Sequence, residues 1–250
     1  AGSVLLAGVL LKMGGYGFIR FCLPIFPEMS HAFAPAVLWM SVAAILYGGY
    51  MALAQVDLKR LVAYSSVSHM GFVTLGIFSF NNEGVEGAIL QMVTHGLTTG
   101  AMFLIVGQLY DRTKSRSIAD YGGLQQRMPR FVAILSLFAV ASFGLPTTSN
   151  FIGEFLILVG VSYENFVFVV LAMGGIVLGA AYMLWMLQRV AFGEARTEAA
   201  KKMTDLNTRE MWTIMPLAIA VVAIGVYPGP LLEAMDASVT FVVERLASTL

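Results

Sequence analysis

Seven long apolar stretches dominate the sequence, each close to the ~20 residues that a helix needs to cross a bilayer. They cover about residues 4–23, 35–55, 58–80, 85–110, 131–161, 165–190 and 211–227. Only Val56 and Asp57 separate the second stretch from the third, and Asp57 is predicted to cap the following helix. The pattern therefore predicts an all-α polytopic membrane protein with about seven transmembrane helices.

The fifth stretch is the longest, and it is interrupted in the middle. Residues 130–161 are too many for one straight span, and residues 144–150 (GLPTTSN) place glycine and proline inside it. Proline cannot donate to the helix ladder. We therefore predict a discontinuous helix, whose freed backbone groups need protein or a water-filled cavity around them. Glu154 follows the break by about one turn, and an acid at membrane depth indicates a functional site.

The distribution of basic residues supports this number of spans. Twelve of the 15 Lys and Arg residues fall in the second, fourth and sixth connections: Lys59, Arg60, Arg112, Lys114, Arg116, Arg127, Arg130, Arg189, Arg196, Lys201, Lys202 and Arg209. Because Lys and Arg concentrate on the cytoplasmic side, we expect these connections to be cytoplasmic and the C-terminus extracytoplasmic. Residues 1–230 then form the membrane bundle, and residues 231–250 are predicted to form an amphipathic tail.

Composition agrees with this class of protein. Hydrophobic residues make up 58% of the chain and charged residues only 12%, against ~25% charged residues in soluble domains. The single cysteine, Cys22, excludes a disulfide within the chain and a cysteine-based metal cluster. A formal net charge of zero gives no sign of a nucleic-acid partner, and we expect none. The chain opens on Ala1 without an initiator methionine, so we expect it to be part of a longer protein.

Four titratable residues fall near the middle of four different predicted helices. They are Lys12, His69, His95 and Glu154. A charged side chain at the bilayer centre costs ~2.5–3.5 kcal/mol even on a lenient insertion scale, so such residues rarely stand there without a role. Histidine titrates close to physiological pH. The four residues therefore indicate a chain of sites that exchange protons.

Other interpretations of these residues remain open from the sequence alone. Glu154 could hold two helices together in an ion pair, and the other polar groups could be helix contacts worth only ~0.6 kcal/mol each. His69 and His95 could bind a haem iron between two helices, although this would leave Lys12 and Glu154 unexplained. His31 is expected in an external, solvated loop.

Three segments carry a resemblance to a known family. Residues 5–17 (LLAGVLLKMGGYG), 57–71 (DLKRLVAYSSVSHMG) and 143–155 (FGLPTTSNFIGEF) closely resemble the antiporter-like membrane subunits of respiratory complex I, the proton-pumping NADH:quinone oxidoreductase. The resemblance implies a fold of fourteen helices in two inverted repeats, of which this chain corresponds to the C-terminal half. It also implies that Lys12, His69, His95 and Glu154 are the proton-translocating residues, and that the glutamate at position 154 is typical of the M-type subunit.

The same resemblance implies how the chain would act. It suggests a proton-pumping module driven by quinone reduction elsewhere in the complex, in a bacterial inner membrane. NADH, FMN, iron–sulfur clusters and quinone would belong to the parent complex, with no cofactor on this chain. The implied partners are neighbouring antiporter-like subunits and membrane lipid. The alternative implied by the family is a subunit of a multisubunit sodium/proton antiporter.

Overall fold

The computed structural model describes residues 2–195 and 197–248, and within these residues it is helical and without strands. Short helical turns occupy Ile118–Asp120, Leu124–Arg127 and Glu198–Lys201. We label the longer helices of the described residues α1 (Gly2–Ile25), α2 (Pro27–Leu53), α3 (Leu58–Ile77), α4 (Asn82–Thr113), α5 (Pro129–Ser142), α6 (Ser149–Glu164), α7 (Phe166–Ala191), α8 (Thr208–Val226) and α9 (Gly229–Ala247).

The lengths of these helices are those expected of membrane-spanning segments. Helices α1, α2, α4, α7 and α8 are each long and apolar enough to cross a bilayer. Helix α3 has 20 residues, but its central serines and His69 make it less apolar. Helices α5 and α6, with 14 and 16 residues, are each too short to span alone and together form the broken fifth span. The predicted all-α membrane fold with one discontinuous helix is confirmed.

The break between α5 and α6 has the backbone that its sequence predicts. Gly144 has a φ of 74°, a left-handed conformation that glycine adopts without strain, and Thr147 has a φ of 79°. Leu145 to Thr147 are exposed, whereas the following Thr148 and Ser149 are buried. The opposite end of α5 is held by Asp205, whose carboxylate accepts hydrogen bonds from the first backbone amides of the helix.

Other predicted helix ends agree with the structure, with one exception. Asp57 caps α3 by accepting from the Arg60 amide at 3.0 Å, as expected. The second span, however, was predicted to begin at residue 35, and α2 begins at Pro27 instead. Proline suits the first position of a helix, where its missing N–H is not needed. His31 consequently lies within α2, partly buried, with its ring 4.3 Å from the Phe80 ring centroid; the expectation of a solvated loop was wrong.

Helix α1 is irregular around its lysine. Two π-helical turns, Leu6–Leu10 and Phe18–Cys22, flank the segment that holds Lys12. Such turns insert an extra residue into the helix and are frequent at functional sites. Half of the α1 residues are exposed and few are buried, and the main contacts of α1 are with α4.

Two clusters of buried apolar side chains fill the bundle, one towards each end of the spans. On α3 the first cluster ends at Val62 and the second begins at Phe72. On α4 the change occurs between Met92 and Ala101, and the broken helix changes cluster across its break. On each of these helices, the residues between the two apolar clusters include buried polar side chains. A layer of polar side chains therefore lies between the two apolar ends of the bundle.

The predicted tail forms helix α9, which packs on α4 and on the end of α1. Its buried apolar residues include Val239 and Leu246, while its charged residues Glu233, Asp236, Glu244 and Arg245 are exposed. Asn82 at the start of α4 donates to the Thr240 hydroxyl at 3.3 Å and joins the two helices. The last two residues of the predicted tail, 249 and 250, lie outside the described residues.

Candidate functional site

The polar layer brings together all four residues that the sequence predicts. His95 is 0% exposed, Glu154 3% and His69 5%, while Lys12 is partly buried. They come from four different helices: α1, α3, α4 and α6. Each side chain contacts the next, so the layer contains a continuous series of titratable groups.

The series begins at Lys12, which is directed at His95. The Lys12 Nζ atom lies 2.8 Å from His95 Nδ1, within hydrogen-bond distance, and Nζ also donates to the Ala7 carbonyl of its own helix. This contact requires a close approach of α1 to α4, which occurs where Gly96 faces the backbone of Gly8. A Cβ atom on Gly96 would lie 2.9 Å from the Gly8 carbonyl oxygen, so only glycine permits this spacing.

The two histidines form the centre of the series. Their ring centroids are 5.2 Å apart, with an angle of 52° between the ring planes. The Nε2 atoms of both rings are buried and have no hydrogen-bond partner among the described residues. Because the rings pack against each other in the interior, a haem plane has no place between them, and the haem interpretation is not supported.

The series ends at Glu154, beside the helix break. His69 Nδ1 lies 3.0 Å from Glu154 Oε1 and can donate to it. The other carboxylate oxygen, Oε2, faces Gly144 in the break; a Cβ atom there would be 2.7 Å from it. The left-handed glycine therefore both turns the chain and leaves room for the carboxylate.

The sequence did not single out Gln91, although it contacts this site directly. Gln91 is 0% exposed, and its Nε2 donates to Glu154 Oε1 at 3.0 Å. Its Oε1 atom is buried without a partner among the described residues. Gln91 precedes His95 by one turn on α4, and this spacing on one helix face is the signal that could have identified it.

Further polar residues surround the same site. Tyr182 on α7 and Ser65 on α3 are both buried, with 1% and 2% of their surface exposed. One turn before Glu154 on α6, Asn150 contacts Thr98 of α4 through their side chains at 3.4 Å. These neutral groups extend the layer across α3, α4, α6 and α7.

A groove gives access to the lysine end of the series. It has a volume of about 540 Å³ and runs between α1 and α4. Its lining includes Lys12 and is otherwise almost wholly apolar, with Met13, Tyr16 and Met92 among the larger side chains. Lys12 is therefore reachable from the groove, whereas His69, His95 and Glu154 are enclosed in the buried layer.

Comparison with known proteins identifies the family. The family model described as "NADH:quinone oxidoreductase/Mrp antiporter, TM" matches residues 1–180. The chain is 50% identical over 245 residues to NADH-ubiquinone oxidoreductase chain 4 of Marchantia polymorpha, covering 98% of this chain and 50% of that protein. It is 49% identical over 245 residues to NADH-quinone oxidoreductase subunit M of Rhodobacter capsulatus, covering 98% of this chain and 48% of that one.

A solved structure supports the same family assignment. A chain of respiratory complex I from Thermus thermophilus with bound NADH superposes with a TM-score of 0.88 and 33% identity, over 94% of this chain and 50% of that chain. The protein thus spans about half the length of the curated relatives that it matches. The resemblance to M-type subunits is confirmed by the names of these relatives. The chain is a multi-pass membrane protein and belongs to the NADH:quinone oxidoreductase/Mrp antiporter transmembrane family.

Proposed function

We propose that this chain is the second half of a proton-translocating membrane subunit of an NADH:quinone oxidoreductase. The observation that carries the proposal is the unbroken series of contacts from Lys12 through His95 and His69 to Glu154. Relatives named for this enzyme complex support it. Glutamate rather than lysine at position 154 favours this assignment over a sodium/proton antiporter subunit.

The positions of the ring nitrogens support a particular proton route along the series. His95 contacts Lys12 through Nδ1, and His69 contacts Glu154 through Nδ1. The Nε2 atom of each ring remains for the step between the histidines. Each imidazole can therefore accept a proton on one nitrogen and release it from the other. A buried water is the kind of molecule that joins such unpartnered polar atoms.

The proposal also places the chain in its surroundings. Its partners are neighbouring antiporter-like subunits and membrane lipid, in the inner membrane of a bacterium, with the C-terminus on the extracytoplasmic side. Protons leave towards that side. The NADH, FMN, iron–sulfur clusters and quinone of the complex are bound by other subunits, and this chain holds no cofactor.

The test is substitution of Glu154 in the full-length subunit in its native membrane. After native gels confirm assembly, NADH-driven quinone reduction and proton pumping are recorded together for Glu154→Ala and Glu154→Lys. Because a positioned proton-transfer group contributes about a hundredfold or more, we expect Glu154→Ala to lose both activities. Glu154→Lys should retain part of them, since it restores a titratable group.

The matched control is Glu164→Ala, which removes an exposed glutamate from the end of the same helix. It should leave quinone reduction and pumping at their original rates. If Glu154→Ala assembles and keeps both the turnover and the proton yield of the Glu164→Ala control, the proposed role of the polar layer is wrong.

A further inference from the structure

Gln91 has contacts that the series of titratable groups does not account for. It carries no charge and cannot take up a proton itself, yet it is fully buried beside Glu154. A buried amide costs free energy unless its hydrogen bonds are made. We infer that Gln91 is a positioning residue that holds the Glu154 carboxyl group against His69, an inference that rests on the function proposed above.

The geometry of the carboxylate supports this role. Glu154 Oε1 accepts two hydrogen bonds, from His69 Nδ1 and from Gln91 Nε2, both at 3.0 Å. The two donors come from different helices, so the oxygen is fixed between α3 and α4. Without Gln91, the carboxyl group would be held by His69 alone and could rotate away from it towards the break.

The packing around the amide indicates that its place is specific. Gly153, the residue before Glu154, lies directly against Gln91: a Cβ atom there would be 2.6 Å from Gln91 Oε1. Helix α6 can thus bring its carboxylate to the amide only because glycine stands at this position. The side chain of Gln91 therefore has little room to move as a whole.

The amide oxygen of Gln91 allows this residue to bind the Glu154 carboxyl group in both its ionised and its protonated form. Gln91 Oε1 has no hydrogen-bond partner among the described residues. An amide offers a donor and an acceptor, and rotation about its last bond exchanges them. Nε2 binds the carboxylate, and Oε1 can accept from the carboxyl O–H once Glu154 is protonated. Gln91 thereby keeps Glu154 in register with His69 throughout the transfer.

The experiment compares Gln91→Met with Gln108→Met in the assembled complex. Methionine matches glutamine in length and removes both polar groups. Gln108 lies on the same helix, also with a buried and unpartnered Oε1, but away from Glu154. Because a hydrogen bond to a charged group is worth about tenfold or more in an equilibrium, we expect Gln91→Met to slow proton-coupled turnover about tenfold. The KM for quinone should not change, and Gln108→Met should behave as the original protein.

A second variant keeps the test decisive if Gln91→Met assembles poorly. Gln91→Glu preserves the shape, and its carboxyl group can donate to Glu154 only while it is protonated. We expect its turnover to approach the original rate at acidic pH and to fall as the pH rises. A residue with a packing role alone would give no such pH dependence, so a flat profile at the original rate overturns the inference.

The outcomes separate this inference from the proposed function. If Glu154→Ala abolishes pumping while Gln91→Met matches Gln108→Met, the inference about Gln91 is wrong and the proton route stands. If Glu154→Ala itself pumps normally, the proposed function is wrong, and with it the role given to Gln91.

Discussion

The crossing of α1 and α4 at Gly96 predicts a specific failure of the proton route. Gly96→Ala would place a Cβ atom 2.9 Å from the Gly8 carbonyl oxygen and 3.8 Å from Cε of Lys12. The opposing atom belongs to a helix backbone, so it cannot turn aside as a flexible side chain would. Helix α1 must therefore move away from α4.

The size of this movement follows from ordinary contact distances. Reaching a normal separation of 3.4 Å requires a shift of about 0.5 Å. The same shift would lengthen the contact between Lys12 Nζ and His95 Nδ1 from 2.8 Å, towards the limit at which a hydrogen bond is lost. Overpacking of this kind costs ~1–3 kcal/mol, partly offset by the ~1 kcal/mol that alanine gains over glycine in a helix.

The assay is the number of protons pumped per NADH oxidised in membrane vesicles, together with the thermal stability of the solubilised complex. We expect Gly96→Ala to lower the proton yield severalfold while the stability changes by ~2 kcal/mol or less. Gly107→Ala is the matched control, because a Cβ at this position of α4 would meet no other helix within 4 Å among the described residues. Equal proton yields in the two variants would refute the argument that the glycine crossing sets the contact between Lys12 and His95.

Two further predictions concern the connections that carry most of the basic residues. Asp205→Ala removes the acceptor for the Arg130 and Phe131 amides at the start of α5 and should lower the free energy of unfolding by ~1–2 kcal/mol, seen as a lower thermal midpoint; an unchanged midpoint would contradict the cap. Arg112→Lys should lower the free energy of unfolding by ~1–2 kcal/mol, because lysine cannot make the paired 2.8 and 2.7 Å hydrogen bonds to Glu210. A double-mutant cycle with Glu210→Gln should show strong coupling between the two residues rather than additive losses of stability.

The sequence predicted the spans because bilayer thickness leaves a direct signal in the length of apolar stretches. The broken helix was predictable for a similar reason, since Gly144 and Pro146 interrupt an otherwise apolar segment. The start of α2 was missed because Pro35 was read as a helix start, although Pro27 also suits the first position of a helix. A proline thus marks a possible helix start, but where two prolines lie close together the proline alone does not show which of them begins the helix.

The titratable residues could be predicted because a charge inside the membrane is costly and therefore informative. The roles given to them stay predictions, but the structure brings all four into contact. Gln91 could not be predicted in this way because a neutral amide costs much less free energy inside the membrane than a charge. Its contact with Glu154 also depends on the close packing of two helices. The π-helical turns beside Lys12 likewise could not be predicted from the pattern of apolar residues.

The placement of the polar layer between two apolar clusters has an electrical consequence. The series from Lys12 to Glu154 joins neighbouring helices between the two apolar clusters, so on the proposed function a proton moving along it travels parallel to the membrane surface. Such a proton crosses almost none of the transmembrane voltage, which is worth ~2.3 kcal/mol per charge for each 100 mV. The work against the voltage must then be done where protons are taken up and released. On the proposed function, the series therefore conducts protons laterally between two apolar layers.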